Sequence, residues 1–165
     1  DKDFVPPYKE PNGEDCYWSR GNGWVVAALV KTLEALPKSD PHYNEYLQDY
    51  KDMCTALLPL QRPDGYCNVC LSDASHSGTS LFIYGFAWGI NNGLLDKKTF
   101  KPAIAKAWKA MAKEAVHPDG KLGYVQGTGK EPKDGQPVGY DKTPDFEDYG
   151  LGCFLLAGTE IYKMK

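Results

Sequence analysis

Residues 17–36 read Y-W-S-R-G-N-G-W-V-V-A-A-L-V-K-T-L-E-A-L, and the rest of the chain is laid out around them. The first half sets Trp18, Arg20, Asn22 and Trp24 about Gly21 and Gly23. In the second half Val25, Val26, Leu29, Val30, Leu33 and Leu36 recur at helical spacing. Glycines at the mouth of a helix let the backbone turn sharply and approach a ligand closely. The open N–H groups of a first helical turn favour negative charge. An arginine beside them adds a fork that fits a carboxylate, and two Trp rings supply flat apolar faces that stack on sugars. The stretch reads as a helix amino end that receives a polar, anionic ligand. A tight turn with Trp18 and Trp24 in the core and Arg20 on the surface also satisfies these residues.

Downstream, Pro37 ends this helix, and Asp40 with Pro41 starts another that runs to about Leu60. Tyr43, Tyr46, Leu47, Tyr50, Met53, Cys54, Leu57 and Leu58 make one face of it, and charged residues make the other. A turn at R-P-D-G-Y (Arg62–Tyr66) leads to a short extended piece and a loop. The helix from Gly78 to about Asn91 is apolar nearly all round, closes at Gly93 and is expected to be buried on most sides. An amphipathic helix follows over about 98–116, and H-P-D-G-K (His117–Lys121) repeats the earlier turn. After a second extended piece and a long loop over 127–148, the last helix starts near Tyr149 and is again apolar on most sides. The spacing therefore predicts helices near 21–36, 41–60, 78–92, 98–116 and 149–163. Their order is inner, outer, inner, outer, inner. Repeated hairpins with buried inner helices give an all-α solenoid or toroid whose inner helices open on one rim. Arg20 and Asn22, then Asn68, His76 and Ser77, then residues 145–149 gather on that rim.

The chain has 165 residues with 42% hydrophobic and 25% charged, which gives one globular domain over 1–165. Net charge is -3 without a basic stripe, which argues against nucleic acid. No apolar run approaches membrane-spanning length. The aromatic content of 13% suits a carbohydrate cleft as well as an ordinary core. Five cysteines do not make a tidy disulfide framework. Cys67 and Cys70 form a C-x-x-C, but no second pair or His pair at ligand spacing completes a metal site, so no metal or other cofactor is expected. The start at Asp1, without Met, fits a chain that begins inside a longer protein.

W-S-R-G-N-G-W followed by an apolar helix ending in L-E-A-L-P resembles the unsaturated glucuronyl and rhamnogalacturonyl hydrolases of glycoside hydrolase family 105. So do S-G-T-S-L-F-I-Y-G-F-A-W-G-I-N-N-G-L-L-D and the tail Y-G-L-G-C-F-L-L-A-G-T-E-I-Y. The motifs fall in order from Trp18 to Tyr162. The resemblance implies an (α/α)6 toroid, of which this chain is about the carboxyl-terminal half, so the amino-terminal half is its missing partner. Half a ring is expected to expose apolar surface from Val25, Phe82 and Leu155. The resemblance also implies the removal of a 4,5-unsaturated uronic acid from the non-reducing end of lyase-generated oligosaccharides. An Asp protonates C4, water adds at C5, and the hemiketal opens. One carboxyl group serves as acid and base, and no metal takes part. By position before W-S-R-G-N that residue is Asp1, with Asp3 second. Before S-G-T, where many relatives carry Glu-Thr, this chain has His76 and Ser77; Cys67 stands where Trp is frequent, and Asn68 where some carry His.

The candidate substrate-binding residues are thus Trp18, Arg20, Asn22, Trp24, Asn68, His76 and Ser77, with Asp1 as the catalytic candidate. Arg20 clamps a carboxylate or pairs with Glu14 or Asp15. Asn22 binds a sugar hydroxyl or caps its helix. Trp88 belongs to the core, and Asp64 and Asp119 are turn residues. Two further readings use the same fold: a non-catalytic carbohydrate-binding or scaffold half-barrel, and another toroid enzyme such as a sugar epimerase.

Overall fold

The computed structural model describes residues 17–68, 78–127, 129, 139–141 and 148–164, the side chain of Asp148 excepted. It contains helices α1 (Ser19–Ala35), α2 (Tyr43–Leu57), α3 (Thr79–Asn91), α4 (Lys97–Ala110) and α5 (Asp148–Lys163). A 3₁₀ turn at Leu58–Leu60 extends α2, and a π turn at Met111–Ala115 extends α4. Among the described residues there is no strand; Val116 and Leu122 form an isolated bridge. No described helix is long and apolar enough to cross a membrane.

The inner helices pack through glycines. A Cβ on Gly23 would stand 2.9 Å from Leu81 Cβ, and one on Gly78 would stand 2.8 Å from the Ser19 carbonyl carbon. One on Gly85 would overlap Val26. Ser19, Gly23 and Val26 thus meet Gly78, Leu81 and Gly85 in the same order, so α1 and α3 run parallel. Further along, Trp88 Nε1 donates to Glu34 Oε1 at 3.0 Å. Asn91 Nδ2 donates to the Glu160 carbonyl and carboxylate at 2.9 Å, which ties α3 to α5. α3 therefore sits between α1 and α5, and Thr79 and Leu81–Gly89 are all buried.

The amphipathic helices cover this row from outside. Tyr50 of α2, fully buried, donates its hydroxyl to the Gly85 carbonyl at 2.6 Å. Phe100 of α4 meets Phe86 edge-on at 5.1 Å. Tyr43, Cys54 and Leu57 join Tyr50 in the core as expected, whereas Tyr46 stays exposed. The two P-D-G turns are the same structure. Arg62 N donates to the Tyr66 carbonyl and His117 N to the Lys121 carbonyl, both at 2.8 Å. Asp64 and Asp119 each accept from the backbone N–H two residues on at 3.1 Å. Gly65 and Gly120 carry φ of 100° and 90°, a conformation that favours glycine.

The ends of the row are bare. Trp24 and Val25 on α1, and Leu151, Leu155 and Tyr162 on α5, are exposed. Phe82 was expected to share this exposure but is 1% exposed. Its helix is the middle one and has an inner neighbour on each side.

Candidate functional site

The parallel inner helices bring their amino ends together. Arg20 of α1, Gly78–Leu81 at the start of α3, and Tyr149, Gly150 and Cys153 of α5 line one cleft. The two P-D-G turns feed it from outside: Tyr66 follows the first, and residues 122–126 follow the second. Met111 and Ala115, from the π turn, form the back. The cleft measures about 80 Å3. A water's share of liquid volume is roughly 30 Å3, so this is room for a carboxylate and its neighbouring atoms.

Arg20 dominates the electrostatics. It is 7% exposed, and its guanidinium lies 4.4 Å from the Trp18 ring and 5.6 Å from the Tyr149 ring. Stacking on aromatic faces suits the planar guanidinium and leaves its edges open for donation. Two of those donors, Nε and Nη2, have no hydrogen-bond partner among the described residues. A buried cation with unmade hydrogen bonds is expensive unless a ligand completes it. The other wall groups are neutral. Burial pushes the Cys153 thiol up to about 11 and raises the Tyr66 phenol, with Glu114 adding to the latter. No described carboxylate lines the cleft. The described walls therefore recognise an anion and do not by themselves supply a proton donor.

The remaining candidates separate. Trp18 faces Arg20, and its Nε1 donates to Gln126 Oε1 at 3.4 Å. Trp24 is half-exposed, with its ring 6.4 Å from Tyr149, and does not line the cleft. Asn22 neither caps nor lines it: the N-cap is Trp18, and Asn22 Nδ2 donates to the Trp18 carbonyl at 2.8 Å. Asn68 is not among the residues lining the cleft, and its Oδ1 accepts from Arg62 Nη1 at 3.3 Å. Asp1, Asp3, Glu14, Asp15, His76 and Ser77 lie outside the described residues. Of the C-x-x-C pair only Cys67 is described; it is buried, and burial pushes its thiol up to about 12. Trp88 is core, as expected.

Sequence reasoning missed Tyr66, Met111, Tyr124 and Gln126. The repeated turn was the available signal, since each P-D-G delivers the next residues to the same rim. Tyr66 and Tyr124, one from each repeat, bring their rings to 6.2 Å. Tyr124 also carries φ of 57°, unusual for a non-glycine residue and a mark of a constrained backbone at a site.

Parallel inner helices with their amino ends on one rim, covered by amphipathic outer helices, define a segment of an α/α toroid. The chain matches the family model Glycosyl Hydrolase Family 88 over residues 1–165, and it belongs to that family. It is 39% identical over 163 residues to the unsaturated 3S-rhamnoglycuronyl hydrolase of Formosa agariphila, covering 95% of this chain and 41% of that protein. A glycosyl hydrolase family 88 structure from Bacteroides vulgatus superposes with a TM-score of 0.87 at 39% identity, over 98% of this chain and 47% of that one. A family 105 glycoside hydrolase from C. acetobutylicum superposes with a TM-score of 0.71 at 29% identity, over 99% and 51%. The expected resemblance to family 105 thus extends to family 88. The chain spans about half the length of these relatives or less.

Proposed function

We propose that the full-length protein carrying this chain is a glycoside hydrolase that removes a 4,5-unsaturated uronic acid from the non-reducing end of lyase-generated oligosaccharides. The observation that carries this is Arg20, a buried cation in the cleft with two donors that have no partner among the described residues. A uronate carboxylate supplies the matching charge and two acceptor oxygens. The name of the Formosa relative places a rhamnose-linked unsaturated uronide among the first substrates to try.

In this reading Arg20 holds the carboxylate while the vinyl ether is hydrated. A proton passes from a carboxylic acid to C4, and the ring oxygen stabilises the cation that forms at C5. Water adds at C5 and returns its proton to the carboxylate. The hemiketal then opens, releasing the aglycone and an open-chain keto sugar. We assign Asp1 as that acid, from its place before W-S-R-G-N. The described cleft holds no carboxylate of its own, which is consistent with an acid supplied from another segment.

The test follows the ultraviolet absorbance of the C4–C5 double bond, which disappears on turnover. The full-length protein is expected to consume it, Asp1→Asn to abolish consumption, and the 165-residue chain alone to work poorly. Arg20→Ala is expected to weaken substrate binding by roughly ten-fold or more, as a charge-assisted hydrogen bond contributes about 1.5–3 kcal/mol. Binding without turnover in the full-length protein overturns the enzyme reading in favour of a carbohydrate-binding one. Full activity of Asp1→Asn moves the acid to Asp3.

A further inference from the structure

We infer that Gln126 is a positioning residue that orients Arg20 by holding both of the rings between which its guanidinium lies. The inference rests on the anion-site reading above and deepens it. Gln126 does not carry charge and was not marked by its sequence. It is 1% exposed, one of the most completely buried polar side chains among the described residues. Its side-chain Oε1 accepts from Trp18 Nε1 at 3.4 Å, and its backbone carbonyl accepts from the Tyr149 hydroxyl. One residue thereby joins α1 to α5 across the cleft mouth, at the two aromatic faces that flank Arg20.

An arginine held by aromatic faces takes its plane from those rings, so that plane is only as fixed as the rings are. The off-axis indole N–H bond fixes the rotation of the Trp18 ring, the bond at the Tyr149 hydroxyl fixes where the end of that ring lies, and together they set the plane in which Arg20 presents Nε and Nη2. Gln126 can serve because its own segment is tied to its neighbours on both sides. Gly123 N donates to the Ala115 carbonyl at 2.7 Å, and Tyr124 N donates to the Gly139 carbonyl at 3.1 Å. On the other side a Cβ on Gly150 would stand 2.6 Å from Val125 Cγ1, so α5 packs directly against this segment. The constrained backbone of Tyr124 belongs to the same short stretch.

A double-mutant cycle in the full-length protein tests this, with a 4,5-unsaturated uronide disaccharide as the probe. Gln126→Met keeps length and volume but removes the Oε1 acceptor for Trp18, leaving the backbone carbonyl that holds Tyr149. Trp18→Phe keeps a ring over Arg20 but removes the donor. Each is expected to raise KM about five-fold, the equivalent of one neutral hydrogen bond, with kcat within about two-fold of wild type. The double variant is expected to be no worse than the poorer single one, because both remove the same bond. If the two effects multiply, or if Trp18→Phe leaves KM unchanged, the inference is wrong. Should Gln126→Met fail to fold, the Trp18→Phe result decides alone. The Trp18 indole N–H signal of the wild-type protein, identified as the one lost in Trp18→Phe, is also expected to shift in Gln126→Met; if it does not move, that counts against the bond. Arg20→Ala separates the two ideas. If it weakens binding while Gln126→Met and Trp18→Phe do not, only the positioning role fails. If Arg20→Ala changes nothing, the anion site fails and the positioning role fails with it.

Discussion

Arg20 is charged in a place where a cation has given up most of its water, and the cost is recovered only when something accepts from it. The shape of the donor matters as much as its charge. Arg20→Lys keeps the cation but loses the planar fork that lies between Trp18 and Tyr149. We expect Arg20→Lys to bind the uronide nearly as weakly as Arg20→Ala; calorimetric Kd values check this, and near wild-type affinity would mean charge alone suffices. A second residue-scale expectation concerns the start of α4. Asp96 accepts from the Thr99 hydroxyl at 2.6 Å and from its N–H at 2.8 Å, and these bonds hold its carboxyl below the ordinary 3.8. A depressed carboxylate contributes stability above its unfolded value and loses it as pH falls through the folded one. Asp96→Ala is therefore expected to lower Tm at neutral pH and to lower it by less well below pH 3.8, measured by thermal melts across that range. Arg20 was legible in the sequence because its glycines and its helix lie beside it. Tyr66, Tyr124 and Gln126 were not, because turns and the long-range pairing of two repeats bring them to the rim.

The elements follow their periodicity closely, and the departures have local causes. Helical expectations near 21–36, 41–60, 78–92, 98–116 and 149–163 correspond to α1 through α5, with α2 and α4 stopping short of the expected ends. There the last turn tightens to 3₁₀ before one P-D-G turn and widens to a π turn before the other. The tightened stretch is three residues long and the widened one five. Apolar periodicity does not register such a change of pitch. The glycines of α3 are a different matter, since they set how close the inner helices stand. Gly78 has φ of 85° and faces the Ser19 backbone. Gly78→Ala is expected to destabilise by about 2 kcal/mol or more, from the left-handed backbone together with the push on Ser19. Because Ser19 precedes Arg20, the same change is expected to weaken uronide binding. Denaturant melts and Kd together check it, and a stable variant with normal affinity would remove the glycine contact from the argument.

At the scale of the molecule, the described residues make an open row of three inner helices whose outermost members keep exposed apolar side chains. Leu155 is 57% exposed here, and the relatives are about twice as long. The same substitution is thus expected to act oppositely in two contexts. Leu155→Lys should leave the melting of the 165-residue chain unchanged or improve its solubility. In the full-length protein it should cost about 2–3 kcal/mol, because a lysine would be buried where a leucine packs. Equal effects in both contexts would show that nothing covers this face. The half-ring was legible from the alternation of helix characters and from the motif order. Phe82 departs from the expected exposure because its helix is the central one, and apolar periodicity does not say which inner helix is central.

Parallel packing of α1, α3 and α5 has one more consequence, and it concerns speed. Three helices end their amino termini at one rim, and each carries the equivalent of about half a positive charge there. Their fields add over a cleft whose described walls are otherwise neutral. An approaching anion is drawn in before it touches Arg20, although the whole chain carries a net charge of -3. Stopped-flow association of a uronide should therefore slow as salt is raised, and the salt slope should survive in part in Arg20→Ala, whose bound complex nonetheless dissociates faster.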